Sequence, residues 1–216
     1  MLAIENLDVM IERARILRGV TLTLEGGRVA GLIGRNGAGK TTLMRAIMGL
    51  VRPAAGRVRI DGADVTAAPA HRRARLQVGY MPEDRRLIPE LTVEENLLVP
   101  AWAVAAPNAR ARLARVYELI PEVAAFAKRR ALQLSGGQQK LVALGRALMA
   151  GKRLLLLDEP FEGIAPALAQ RLVEVLQAVK KEGPSILLSE SDYTHSVGLI
   201  EKLFVIERGE VHERPH

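Results

Sequence analysis

The chain has 216 residues, 49% of them hydrophobic, which suffices for one sizeable core and is short for two complete domains. The formal charge is +7 with only 3% aromatic residues, and the basic clusters Arg72-Arg73-Ala74-Arg75, Arg85-Arg86 and Lys128-Arg129-Arg130 lie among acids, which favours a solvated basic face over a platform for nucleic acid. The absence of cysteine excludes disulfides and thiolate metal sites, the start Met1-Leu2-Ala3-Ile4-Glu5-Asn6 lacks the regions of a signal peptide, and the apolar stretch 97–107 is broken by Pro100 and too short to span a bilayer.

In chain order, residues 2–9, 20–24 and 57–60 read as strands of an antiparallel layer, with Asp61-Gly62 as a turn. The apolar run 29–33 reads as a strand, and GRNGAGKTT follows it directly over Gly34, Arg35, Asn36, Gly37, Ala38, Gly39, Lys40, Thr41 and Thr42. This fits G-x-x-x-x-G-K-[ST]. Triphosphate needs many donors at close range, and glycines at 34, 37 and 39 let successive N–H groups turn inward. The helix beginning near Gly39 adds its positive end, Lys40 adds a cation for the β and γ groups, and Thr41 a hydroxyl for Mg²⁺. Leu43, Ile47 and Leu50 continue that helix before Gly49 and Pro53 close it.

Helical patterns then run through 93–98, 109–119 and 138–150, so residues 86–150 are expected to form a helical subdomain inserted in one domain spanning 1–216. Within this region Ser135, Gly136, Gly137 and Gln138 spell S-x-x-Q, a capping box at the head of a helix. Glycine in a first turn costs roughly 1 kcal/mol relative to alanine, so the pair implies close approach of a phosphate to bare backbone.

Leucines 154–157 lead into Asp158-Glu159-Pro160, as expected for a buried parallel strand whose carboxyl end opens into a crevice. Asp158 is assigned to the Mg²⁺ shell and Glu159 to polarising the attacking water as general base. A helix over 166–181, a strand over 186–188 and a closing hairpin over 203–212 complete the α/β pattern.

Together the P-loop, Leu134-Ser135-Gly136-Gly137-Gln138-Gln139-Lys140 and Asp158-Glu159 resemble the nucleotide-binding subunits of ABC transporters, over nearly the whole chain. Gly79-Tyr80-Met81-Pro82-Glu83-Asp84-Arg85-Arg86, Leu91-Thr92-Val93-Glu94-Glu95-Asn96-Leu97 and Glu162-Gly163-Ile164-Ala165-Pro166 look like the branched-chain amino-acid importers, LivF type. The resemblance implies a P-loop NTPase fold with a mostly parallel sheet, an N-terminal antiparallel β layer and a helical subdomain. It also implies ATP and Mg²⁺ as ligands and a head-to-tail dimer with a second such ATPase, identical or different, in which Ser135 to Gln138 of one chain close on the P-loop of the other. Transmembrane permease subunits and, indirectly, a solute-binding protein are the implied partners, on the cytoplasmic face of the membrane, with no nucleic acid expected.

Three positions depart from the family pattern. Met10 and Ile11 stand where most ABC ATPases carry an aromatic residue for the adenine, which implies looser base recognition with Ile11 at that end. Glu83 stands where the γ-phosphate and Mg²⁺ sensor is usually glutamine, and Ser191 where the switch is usually histidine; His195, four residues on, reads more plainly as a surface residue. Hydrolysis that is slow or dependent on a partner subunit is expected, with Glu159, Lys40 and Ser191 as the catalytic set and Thr41, Asp158 and Glu83 at the metal. Two alternatives stay open: an ABC ATPase acting on DNA or ribosomes, and a nucleotide-binding interaction module with little turnover.

Overall fold

The computed structural model describes residues 1–104 and 108–214. Strands β1 (Leu2–Ile11) and β2 (Ala14–Leu24) form a hairpin, and β3 (Val29–Ile33) leads through the glycine loop into α1 (Lys40–Met48). β4 (Ala55–Ile60) pairs antiparallel with β1 and turns at Asp61-Gly62 into the short β5 (Ala63–Asp64). That turn has φ of 51° and 78°, the left-handed pair that a two-residue hairpin demands. α2 (Ala70–Arg75), β6 (Val78–Met81), α3 (Val93–Ala103), α4 (Ala109–Leu119), α5 (Pro121–Ala125) and α6 (Gly136–Ala150) follow. β7 (Leu154–Asp158), α7 (Pro166–Lys180), β8 (Ser185–Glu190) and the hairpin of β9 (Lys202–Glu207) and β10 (Glu210–Arg214) are the remaining α-helices and strands among the described residues.

The strands form two sheets. A four-stranded antiparallel sheet has the order β2-β1-β4-β5, and a six-stranded sheet the order β10-β9-β3-β8-β7-β6, parallel except for β10. Two cores flank the larger sheet, and β7 shows why its sequence is an unbroken leucine run. Leu154 and Leu156 face the core shared with the antiparallel sheet and α1, while Leu155 and Leu157 face the core built with α3, α6 and α7. All four are fully buried, so alternation has no solvent side to report.

Several elements differ from the sequence reading. β1 and β2 extend towards each other as far as Ile11 and Ala14, and α2, β6 and α5 were not anticipated. Leu50 lies beyond α1, 51% exposed, because Gly49 ends the helix at φ 78°. The stretch 97–107 is helical as far as Ala103, and its residues 105–107 lie outside the described residues.

The basic cluster on α2 is not a uniformly solvated face. Arg73 is 1% exposed, and its guanidinium donates to the carbonyls of Ala46, Ile47, Thr66 and Ala68 at 2.7–3.0 Å. It therefore binds the carboxyl-terminal turn of α1 against the loop that leads to α2. A cation at that end also complements the helix dipole.

Candidate nucleotide site

Because β3, β8 and β7 are adjacent and parallel, the residues that leave their carboxyl ends emerge along one edge. Ile33 pairs with Glu190 and Asp158 with Ser189, so the glycine loop, the acid pair and Ser191 are brought together there. An open cleft of about 450 Å³ lies at this edge, lined by Ile16, Asn36, Gly37, Gly39, Lys40, Thr41, Thr42, Glu83 and Glu159.

The loop takes the shape its glycines permit. Gly37 and Gly39 have φ of 82° and 113°, and Gly39 caps α1 without any side chain, which leaves the first N–H groups of the helix free of a side-chain acceptor. Gly34 is different: its φ is not positive, and glycine is needed because a Cβ would lie 2.3 Å from the carbonyl oxygen of Ile206 on β9. Lys40, 5% exposed, folds back over the loop. Its Nζ donates to the carbonyl oxygens of Gly34 and Arg35 and to Ser191 Oγ at 3.1 Å, and lies 3.1 Å from Glu159 Oε1.

Two acids with different surroundings face it. Asp158 is fully buried at the end of β7, where Thr41 donates to Oδ1 at 3.2 Å, Ser189 to the same oxygen at 2.5 Å and Tyr80 to Oδ2 at 3.4 Å. Burial is the largest influence on its carboxyl and raises its pKa, opposed by the Ser189 and Thr41 hydrogen bonds and assisted by Glu83 and Glu159. The Tyr80 phenol is pushed up in turn, by its own burial and then by Asp158. Glu159 has a left-handed φ of 48° and is tied to β8 by its N–H to the Ser189 carbonyl. Ser191 holds the Glu159 carboxylate twice, from its N–H to Oε2 at 3.1 Å and from its hydroxyl to Oε1 at 2.7 Å. The same hydroxyl lies 2.7 Å from Asn36 Oδ1, so its one proton serves either acceptor.

Hard oxygen donors and surplus negative charge suit Mg²⁺. A magnesium ion takes one or two protein oxygens and completes its shell with phosphate and water, which the adjacent Thr41 hydroxyl and Asp158 carboxylate satisfy, with Glu83 across the cleft.

The remaining anticipated residues fall in three places. Ile11 ends β1 beside the hairpin turn, 44% exposed and outside the cleft lining; the apolar wall is Ile16 of β2 instead. Ser135, Gly136, Gly137 and Gln138 start α6 with the expected capping box: Ser135 Oγ accepts from the Gln138 N–H, and Gln138 Oε1 accepts from the Ser135 N–H. They do not line this cleft. Within the chain Gly137 makes room for Leu168, 2.7 Å from where a Cβ would sit, and Gly136 faces the Arg85 guanidinium. His195 packs its ring on Phe161, with centroids 6.1 Å apart. Ser189 and Ile16 were not singled out from sequence, since serine inside a leucine-rich strand and isoleucine in a hairpin carry no motif, and Tyr80 was marked only as part of the string 79–86, with no role at the site.

An α/β fold with a glycine loop, an acidic strand end and an oxygen-lined cleft at the carboxyl edge of its parallel sheet defines a nucleotide-binding protein. Comparison with known proteins agrees. The family model described as ABC transporter matches residues 17–162. The chain is 33% identical to the high-affinity branched-chain amino acid transport ATP-binding protein BraG of Pseudomonas aeruginosa, over 98% of this chain and 91% of that one. It is 31% identical to the lipopolysaccharide export system ATP-binding protein LptB of Haemophilus influenzae, over 97% and 88%. A nucleotide-free ATP-binding cassette from an ABC transporter superposes with a TM-score of 0.86 at 28% identity, covering 99% of this chain and 90% of that one. A dimeric bacterial ABC transporter cassette superposes at 0.87 and 25% identity, covering 99% and 98%. The chain belongs to the ABC transporter family, as an ATP-binding subunit with ATPase activity.

Proposed function

We propose that this subunit hydrolyses Mg-ATP in a head-to-tail pair of ATPase chains, on the cytoplasmic face of a membrane, to drive import of branched-chain or other amino acids. The single observation that carries the chemistry is the meeting of Lys40, Thr41, Asp158, Glu159 and Ser191 at one edge of the parallel sheet. In this reading the N–H groups of residues 34–42 and Lys40 bind the phosphates, and Thr41, Asp158 and Glu83 hold Mg²⁺, which when bound neutralises the phosphate oxygens. Glu159 takes a proton from the attacking water, and Ser191 orients that carboxylate from two sides. Ile16 in the cleft wall gives the base an apolar edge, with Ile11 at the exposed end of β1 beyond it, and residues 135–138 complete the site of the paired chain. The dimeric form of a structural relative supports the pairing. Residues 86–150 act as a helical subdomain within a single domain.

The BraG likeness supports amino-acid import, through permease subunits and a solute-binding protein that select the cargo. The LptB likeness, at 31% identity, supports a second reading in which the motor serves lipid export. No described helix is long and apolar enough to cross a membrane, so either reading needs membrane partners. Affinity capture from membranes decides between them: recovery of a permease pair with leucine uptake lost on deletion is expected, and recovery with lipid-export components would overturn import. ATP hydrolysis should fall about 10²–10⁴-fold in Glu159→Gln, the span for a general base. Turnover indifferent to that change would remove Glu159 from the role.

A further inference from the structure

Glu159 is held in an unfavourable backbone conformation, and what holds it reaches across from another layer of the molecule. A left-handed φ is uncommon for a residue with a Cβ and persists only where surrounding contacts enforce it. The turn that Glu159 opens is closed by the Glu162 N–H on the Glu159 carbonyl at 3.3 Å. The Glu162 carbonyl in turn accepts a hydrogen bond from Lys140 Nζ, whose side chain rises from the second turn of α6 and is 2% exposed. A buried ammonium is costly, and this one ends on a backbone carbonyl rather than on a carboxylate.

We infer that Lys140 is a positioning residue for hydrolysis: it pins the turn after Glu159 to the start of α6 and keeps a buried cation in the field of the Glu159 carboxylate. Lys40 cannot keep that role through a catalytic cycle. It lies 3.1 Å from Glu159 in this structure, and phosphate bound in the glycine loop draws it away. Lys140 is bonded outside the cleft and stays. The charged groups around it are Arg85 and Glu83 from the loop after β6, and Glu159 and Glu162 from the turn after β7. Burial, then Arg85, lower its pKa to about 8, against the three carboxylates, so the cation is present at neutral pH and lost in mild alkali. On the α6 side the same helix is tied to the loop after β6 near its start by Arg85 Nη1 on Gln139 Oε1 at 3.2 Å, and further along by Arg146, which donates to the carbonyls of Arg85 and Arg86.

The inference rests on Glu159 being the base, and the test separates the two. Steady-state hydrolysis by the full chain is measured from pH 6 to 10 for wild type, Lys140→Met, Lys140→Arg and Glu159→Gln, with Mg-ATP affinity from a fluorescent ATP analogue. Lys140→Met is expected to lower kcat on the order of tenfold, less than loss of the base itself, with affinity kept within about twofold. Lys140→Arg is expected to restore most of kcat and to carry it past pH 8, where the wild-type rate declines, because a guanidinium stays charged. Turnover that requires Glu159 but is indifferent to Lys140→Met overturns the positioning role alone; turnover indifferent to Glu159→Gln overturns both. Should Lys140→Met fail to fold by circular dichroism, Lys140→Arg decides, and an alkaline decline left near pH 8 in that variant overturns the proposal.

Discussion

Arg73 ends its donors on four backbone carbonyls, two of them in the last turns of α1, the helix whose first turn carries Lys40 and Thr41. Truncation would strip four carbonyls of this donor, among them the buried Ile47 carbonyl, while Ala46 keeps the Gly49 N–H, so Arg73→Met should destabilise the fold by on the order of 3 kcal/mol, and Arg73→Lys by less, since an ammonium cannot reproduce the fork. Urea midpoints at constant m-value measure both. In sequence Arg73 is one of three arginines in four residues, and nothing distinguishes the one that turns inward, because carbonyl partners have no sequence signature. Glu190 is a second buried charge-bearing group that sequence left unmarked. Ser196 donates to its Oε1 at 2.5 Å, and its Oε2 has no partner among the described residues. Burial raises its carboxyl from 4.5 to about 8, so the folded state binds the proton more tightly than the unfolded chain. The stability this confers is fully present below about pH 4.5 and is lost as pH rises through about 8, with a slope approaching 1.4 kcal/mol per pH unit. Glu190→Gln should remove that slope: its Tm should exceed wild type at pH 8 and above, and the gap should close towards pH 5. An unchanged Tm-against-pH curve would mean the group titrates as an ordinary carboxylate.

At the scale of elements, what the sequence made legible were those with an unmistakable period or cap. β7 was bounded correctly because leucines 154–157 stop at an acid, while α6 begins at Gly136, directly after its Ser135 cap and two residues ahead of the helical pattern read over 138–150. β6 has four residues, α5 five and α2 six, too few for a period to declare itself, and each is held by tertiary packing instead. α3 carries a second capping box, Thr92 with Glu95, in which Thr92 Oγ1 accepts the Glu95 N–H at 3.2 Å and Glu95 Oε2 accepts the Thr92 N–H at 2.7 Å. Thr92→Ala should cost about 1 kcal/mol in the same urea titration. The end of α1 tests whether Arg73 and its helix act as one unit. Gly49 has φ 78°, and a Cβ there would sit 2.6 Å from Arg73 Nε. Gly49→Ala therefore combines backbone strain with displacement of the guanidinium, and a loss of roughly 1–3 kcal/mol is expected. In an Arg73→Met background part of that loss should vanish, since the displaced group is already gone; additive penalties would show that the strain acts alone.

For the whole molecule, the adjacency of β3, β8 and β7 turns three separated sequence blocks into one cleft, and the motifs announced their members while leaving the contacts between them unstated. Ile16 reaches the cleft only because the antiparallel sheet packs beside the glycine loop, a relation between layers that no local pattern encodes. Sequence likewise named Lys40 and Glu159 as partners of phosphate and water, and gave no sign that they would pair with each other. The structure sets them 3.1 Å apart, 5% and 7% exposed, with Ser191 bonded to both. Mg-ATP must take Lys40 from this pair, so part of the phosphate affinity is offset by separating two buried charges. Glu159→Gln keeps the volume and an acceptor but removes the charge, which releases Lys40 to the phosphates. This variant should therefore bind Mg-ATP more tightly, on the order of tenfold or 1.4 kcal/mol, even as its turnover falls. Calorimetric titration of both proteins with Mg-ATP measures the difference, and thermal shift offers a check, since ligand at 100 times Kd stabilises a fold by about 2.7 kcal/mol. Lys40→Met in the same titration separates the two effects: without the lysine there is no pair to break, and adding Glu159→Gln should then gain little. Equal gains with and without Lys40 would mean that Glu159 opposes the phosphates directly, by like charge, rather than by competing for the lysine.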